Sequence, residues 1–402
     1  MHLPPKSLVT LAATLGASLA GAATPDEELG ARMDRVIERA IAEQRIVGTV
    51  VVVMRDGQVV YRRAGGFADR EAARPMTEDT VLRLASITKP IVSAVVMSLV
   101  EQGTLSLEDP VTRWLPDFRP RLADGSQPPI TLKQLLTHSA GLSYGFLEAE
   151  HGPYRTAGVS DGLAEPGMRL EDNLERIASV PLSYPPGTQW RYSLALDVLG
   201  AVLEKASGKS LPALTEERVT GPLDMHDTAF TVKDPARLGA AYRDDRPQPS
   251  RMQDETAIRT GDSTTLFSLP RIFDPRSYPS GGAGMAGTAD DVARFLDTLR
   301  QGGGAILSQA SVQAMMTDQV GAQAQTQGPG WGFGYGWAVL DDPALAGTPQ
   351  SKGTLQWGGV YGHSWFVDPQ ARLTVVALTN TTFEGMSGAF TQEVRDAAYP
   401  AP

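Results

Sequence analysis

Two side chains three residues apart carry the first chemical signal in this chain: Ser86 and Lys89, in the segment LRLASITKPIVSAVVMSLV. On a helix such a pair shares a face, about 5–6 Å apart at Cβ, so a lysine amine comes within reach of a serine hydroxyl. A serine hydroxyl is a weak nucleophile until a neighbour takes its proton. A lysine can take it once burial or nearby positive charge lowers its pKa. The apolar run after Lys89 argues for a buried helix, where an unpaired ammonium is costly. The start of that helix favours developing negative charge at Ser86 and leaves backbone N–H groups free for an oxyanion. The pair therefore points to acyl transfer through a covalent serine intermediate. The bland alternative for the same residues is a capping serine beside a surface lysine.

A rival nucleophile stands further on. Gly158-Val159-Ser160-Asp161-Gly162 matches the G-x-S-x-G elbow, which needs a strand before it and a helix after it. Here a loop-like stretch, HGPYRTAGV, precedes it and a glycine- and proline-containing segment follows, so Ser160 reads as part of a surface turn. Of the five histidines, His2, His138, His151, His226 and His363, only His363 is well placed after Ser160 in chain order. His138, in LLTHSAGL, reads as a structural hydrogen bonder. No HExxH, calcium loop or phosphate-binding motif occurs. Gly281-Gly282 is not followed by a lysine, so it reads as a turn or wall near a cleft.

The elements that must position these groups follow from periodicity. Glu27 to Gln44 carries apolar residues at Leu29, Met33, Val36, Ile37 and Ile41 and predicts a surface helix. Gly48–Arg55 and Gln58–Ala64 read as strands joined by a hairpin turn at Arg55-Asp56-Gly57. The helix of Ser86 follows, tolerating Pro90 in its first turns and ending near Gly103. From Asp109 to about Ser280, short apolar-periodic pieces (132–136, 174–180, 194–204 and 211–219) alternate with Gly/Pro-rich loops and predict a mostly helical lobe. Thr288–Leu299 reads as a helix; 330–340, 354–359, 364–367 and 373–378 read as antiparallel strands; Thr391–Ala398 reads as a closing helix. The expected organisation is an α/β domain formed by both chain ends (26–108 and 281–402) with an inserted helical domain (109–280) and a cleft between them.

Composition narrows the function classes. With 402 residues, 42% hydrophobic and 20% charged, the chain can bury a large core. A net charge of −10 and the absence of any basic block argue against a nucleic-acid partner. No cysteine is present, which excludes disulfides, thiolate metal sites and a cysteine nucleophile. Met1–Ala23 ends in Gly21-Ala22-Ala23 and is either a signal peptide or a disordered leader, so residues 1–25 are set apart. Localisation stays open between the cytoplasm and, with a cleaved leader, the periplasm or the medium. No stretch elsewhere is long and apolar enough for a membrane span.

Together with the segments VTRWLPDFRPRLADGS, YSLALDVLGAV, YPSGGAGM, GPGWGFGY and GTLQWGGVYGHSWFVD, these residues make the chain resemble the serine hydrolases of the penicillin-recognising fold, from about Glu28 to Ala398. That group holds class C β-lactamases, D-alanyl-D-alanine carboxypeptidases and family VIII carboxylesterases, and the resemblance is strongest to the esterase branch. It implies a β-lactamase/transpeptidase-like fold, an antiparallel sheet flanked by helices plus a mostly helical lobe. It also implies Ser86 as nucleophile, Lys89 as its base partner and Tyr192, from the Tyr192-Ser193-Leu194 motif, as the third proton-handling group. The three would titrate as a coupled set, and the sequence leaves open which is the base. The third motif falls on Trp357-Gly358-Gly359, and the resemblance implies an oxyanion hole from the backbone N–H groups of Ser86 and Val360.

Leu194 stands where the lactamases and peptidases place an amide-binding asparagine, and Trp357 where they place a lysine or histidine. Both changes weaken recognition of peptides and carboxylates and favour apolar groups. Tyr361, His363 and Trp365 join Leu194, Trp357, Gly358 and Gly359 as candidate pocket residues. The expectation is a carboxylesterase acting on short- to medium-chain esters, with a small-molecule ester as its partner and no metal or organic cofactor. The alternatives are an acyltransferase using the same acyl-enzyme, a weak β-lactamase or D-amidase, and a catalytically dead binding protein. The last would be expected to have lost Ser86, Lys89 or Tyr192.

Overall fold

The computed structural model describes residues 24–324 and 326–400; the leader expected at 1–25 falls almost wholly outside them. Helix α1 (Pro25–Ala42) opens with a capping box: the Thr24 hydroxyl accepts from the Glu27 amide and the Glu27 carboxylate accepts from the Thr24 amide. Strands β1 (Gly48–Arg55) and β2 (Gln58–Asp69) follow. The turn between them has positive φ at both Asp56 and Gly57, the twist a two-residue hairpin needs. A short β3 (Arg74–Pro75) leads on to a 3-10 turn, Ala85–Ile87, which runs directly into helix α2 (Thr88–Glu101).

The second half supplies helices α3 (Ala195–Ser207) and α4 (Ala289–Arg300), then strands β4 (Trp331–Phe333), β5 (Ala338–Leu340), β6 (Leu355–Gly359), β7 (His363–Asp368) and β8 (Leu373–Thr379), and helix α5 (Ala389–Ala398). The main sheet has the order β4-β5-β6-β7-β8-β1-β2-β3 and is antiparallel at every pairing. Its centre is the β8–β1 ladder, which zips the two chain ends together from Thr49↔Thr379 to Arg55↔Leu373. Alternation along β1 sorts the two faces. Val51 and Val53 pack with Leu29, Met33, Val375 and Phe390 under α1 and α5, while Val50 and Val52 join the large core around α2, α3 and α4. The result is the mixed α/β, penicillin-recognising fold with a separate helical lobe.

One expectation needs correction. The segment 330–340 is not one strand. It breaks at Gly334–Gly336 because Gly336, at positive φ, lies against α2, where a Cβ would stand 2.7 Å from Ser93 Oγ. The lobe of 109–280 also carries strands, chiefly the hairpin Glu255–Thr260/Ser263–Ser268. Its first strand is largely exposed, so it lacks the apolar alternation that would have marked it. Among the described residues no helix is long and apolar enough to cross a membrane.

Helix α4 is tied to the sheet by one buried carboxylate. Asp297 accepts from Thr374 Oγ1 on β8 (3.0 Å), Arg300 Nε (2.7 Å) and Gln301 Nε2 (2.6 Å). Asp297→Ala leaves the Arg300 guanidinium, whose side chain is 8% exposed, without its partner. It is expected to cost about 3–5 kcal/mol of stability, read as a lower urea midpoint with unchanged slope.

Candidate active site

Ser86 sits in the 3-10 turn that precedes α2, and Lys89 in the first turn of α2, which is buried at every position from Thr88 to Leu99. Ala85, just before the nucleophile candidate, is fully buried with positive φ, a conformation that L-residues rarely adopt. Lys89 Nζ donates to Ser86 Oγ (3.1 Å) and to the Gly282 carbonyl oxygen (2.8 Å). The Tyr192 hydroxyl donates to the same Ser86 oxygen at 2.7 Å. Two aromatic faces enclose the amine, Tyr192 at 4.5 Å and Tyr144 at 5.2 Å.

Electrostatics separate the two groups beside the serine. Burial pushes the Lys89 ammonium down to about 7, opposed by the Asp197 carboxylate. Burial pushes the Tyr192 phenol the other way, well above its ordinary range. Near neutral pH the amine is therefore the group that can be free to accept a proton, while the phenol keeps its own.

Asp197 was not anticipated. It lies on α3, where Ala195–Leu203 are all buried. Its Oδ1 accepts from Ser280 Oγ (2.6 Å) and the Gly282 amide (3.1 Å), which orients the Gly282 carbonyl onto Lys89. Its Oδ2 has no hydrogen-bond partner among the described residues, and burial raises its pKa. An acidic residue inside the apolar run of YSLALDVLG was the available signal. Gly282, read from the sequence as part of a turn or wall near a cleft, has its Cα so close to Tyr144 that a Cβ would meet Oη at 2.9 Å; Tyr144 itself, 1% exposed, was missed. Nothing in the local sequence of Tyr144 marks it.

The third-motif strand closes the other wall. Gly359 ends β6 so near the Leu84 carbonyl that a Cβ would stand 2.3 Å from that oxygen. The turn that follows, closed by the Gly362 amide on the Gly359 carbonyl (2.9 Å), carries Val360. Trp357 packs against Tyr192 (5.2 Å) and Phe333 (5.4 Å). A cleft of about 530 Å³ is lined by Ser86, Tyr192, Trp357, Gly358, Val360 and Trp365, together with Tyr144, Phe146 and Asp161.

Other expected pocket residues lie elsewhere. Leu194 has no exposed surface and is absent from the described lining; it precedes α3 within the core. Tyr361 turns away to pack on Phe267 (5.1 Å). His363 is also outside the lining: its Nε2 lies 2.7 Å from the Arg83 carbonyl oxygen, and burial lowers its pKa to about 4, so it is a neutral brace between β7 and the approach to Ser86. Trp365, 1% exposed, contributes little to the wall and mostly packs on Trp337 (6.2 Å). The rival Ser160 is not on an exposed turn. It is fully buried, its Oγ accepts from the Gly162 amide, and its backbone pairs with Asn173. His138 is buried, bonded through Nδ1 to Ser193 Oγ (3.1 Å), and packs edge-on to Tyr192 at 4.9 Å, which holds that ring in place. Among the described residues no group of acidic or histidine side chains could hold a metal.

Comparison with known proteins identifies the family. The beta-lactamase family pattern matches residues 33–399. The chain belongs to the beta-lactamase family. Within it, the chain is 54% identical over 374 residues to Esterase EstB of Burkholderia gladioli, covering 92% of this chain and 95% of that protein. The solved structure of "EstCE1, a hydrolase with promiscuous acyltransferase activity" superposes with a TM-score of 0.91 at 48% identity, over 93% of this chain and 99% of that one. Simvastatin synthase (LovD) of Aspergillus terreus, at 22% identity and TM-score 0.71 over 92% and 97% of the two chains, shares the fold.

Two substitutions test this geometry. Gly359→Ala forces β6 away from Leu84 and is expected to slow Ser86 acylation by a p-nitrophenyl ester about 10²-fold or more, with the circular dichroism spectrum unchanged. Asp197→Asn keeps an acceptor for Ser280 and removes the negative charge that holds Lys89 up. It is expected to move the midpoint of the pH–acylation profile to lower pH by about one unit.

Proposed function

We propose that the chain is a serine carboxylesterase of the family VIII type, hydrolysing short- to medium-chain carboxylic esters through an acyl-enzyme on Ser86. The observation that carries this is a single oxygen, Ser86 Oγ, held at 3.1 Å by an amine whose pKa is near 7 and at 2.7 Å by a neutral phenol. Neutral Lys89 takes the serine proton as Oγ attacks the ester carbonyl. The backbone N–H groups of Ser86 and Val360 receive the oxyanion. Tyr192 gives its proton to the leaving alkoxide and recovers one from Lys89, and the same relay run backwards activates the water that frees the acid.

The apolar Trp357 beside the nucleophile, with Leu194 buried, leaves no side-chain amide or ammonium at those two positions to hold a peptide or a β-lactam carboxylate. This supports ester over amide work. EstB, more than half identical to this chain, is itself named an esterase. A second reading has its own support. The similar protein EstCE1 is described as a hydrolase with promiscuous acyltransferase activity. An acyl-enzyme walled by Trp357, Phe146 and Tyr144 excludes part of the bulk water that would compete with an alcohol.

Ser86→Ala is expected to lower kcat/KM for p-nitrophenyl butyrate at least about 10³-fold and to abolish a butyryl adduct in the intact-protein mass. Retention of full turnover would remove Ser86 from the mechanism. The wild-type kcat/KM is expected to rise with pH through about 7 as Lys89 loses its proton. A profile flat between pH 5.5 and 8.5 would contradict lysine as the base.

A further inference from the structure

The walls of the cleft on the Tyr192 side have a composition that the hydrolysis of a plain ester does not require. Tyr144 and Phe146 stack at 4.5 Å, and Tyr192 lies 5.0 Å from the first ring and 6.5 Å from the second. Trp357 closes the group, 5.2 Å from Tyr192. These four rings line the cleft with one carboxylate, Asp161. The other charged side chain in the described lining is Arg395, on α5, the helix that packs in the core on the opposite face of the sheet from α2.

Asp161 is held rigidly. Its Oδ1 accepts from the Gly145 amide (2.7 Å) and its Oδ2 from the Phe146 amide (3.1 Å), so the carboxylate fixes the turn that carries Phe146. Each oxygen keeps a further lone pair. The next residue, Gly162, packs against Ser280, where a Cβ would stand 2.4 Å from Oγ, which places Asp161 beside the Ser280–Gly282 loop that contacts Lys89. Burial lifts its carboxyl to about 7, opposed by the two backbone amides and by Arg155. A bound cation would draw it back down.

Tyr144 is turned to Lys89 and Phe146 and is 1% exposed, but Phe146 and Trp357, lining the cleft with one carboxylate, form an attractive site for an alkylammonium group. The rings supply quadrupole attraction and apolar contact, and the carboxylate supplies charge, with no need for a hydrogen-bond donor on the ligand. The net charge of −10 concentrates cations near the protein. Because Phe146 and Tyr144 stand around Tyr192, the group proposed above to protonate the leaving alkoxide, this site lies on the alcohol side of the ester.

We propose that the Asp161 wall is a cation subsite, and that the enzyme prefers esters whose alcohol carries a quaternary or tertiary ammonium group over neutral esters of the same shape. The assignment of the alcohol side rests on the esterase reading; the cation site itself does not.

The test is a pair of isosteric substrates, butyrylcholine and 3,3-dimethylbutyl butyrate, assayed at pH 8 with wild type and Asp161→Asn. Wild type is expected to favour the cationic ester about tenfold in kcat/KM, and Asp161→Asn to lose most of that preference. Any disturbance of the Gly145–Phe146 turn acts on both substrates and cancels in the ratio. A ratio near one in wild type, or a preference retained in the variant, overturns the proposal. Turnover of p-nitrophenyl butyrate, run alongside, separates failure of this inference from failure of the esterase reading. Tetramethylammonium titrated into Ser86→Ala protein, followed by tryptophan fluorescence, tests the site without catalysis. Saturable binding weakened at least about fivefold by adding Asp161→Asn is expected, and no binding overturns the site.

Discussion

A buried amine with no carboxylate in contact organises this molecule. Lys89 has no exposed surface, and an ammonium in that position loses its hydration. What replaces water is specific: one carbonyl, one hydroxyl, two aromatic faces and a carboxylate further off. They come from separate parts of the chain. The hydroxyl belongs to the turn before α2, the carbonyl to the 280–284 loop, the rings to the helical lobe, and the carboxylate to α3. These partners are good enough to hold the amine in place and too weak to keep it fully protonated near neutral pH. That balance is what gives a serine hydroxyl a base.

The surrounding backbone is shaped closely to keep this geometry. Ala85 adopts a positive φ in the turn that presents Ser86, and the Gly359 backbone meets the Leu84 carbonyl at a distance no side chain would permit. Gly281 likewise lies so close to α3 that a Cβ would stand 2.3 Å from the Leu196 carbonyl oxygen. His363, buried and neutral, ties β7 to the Arg83 carbonyl and so fixes the sheet to the segment that leads into the nucleophile.

Around this centre the walls are aromatic where a lactamase-like site would be cationic or amidic. Trp357, Tyr192, Tyr144 and Phe146 form a continuous set of ring contacts, and Trp190, His138 and Phe333 extend it behind Tyr192. Interlocked rings of this kind help keep the phenol aimed at Ser86, and they give the cleft its apolar character.

The sequence by itself determined everything that is local. The Ser86–Lys89 spacing, the Asp56-Gly57 hairpin, the run of β1 and the helices around residues 25–42 and 195–207 depend on periodicity, turn chemistry and near neighbours. Tyr192 and the Trp357-Gly358-Gly359 strand were legible because whole segments resemble a known family. Only the tertiary structure decided the rest, because those features arise from residues distant in sequence. Asp197 reaches Lys89 through Gly282, a residue far along the chain from both. Leu194 and His363 stand near functional motifs yet point into the core. Asp161 lies inside a false nucleophile motif whose serine is buried, while its own carboxylate lines the cleft. Burial cannot be read from spacing, and in this protein burial sets the proton affinity of Lys89 and which groups a substrate meets.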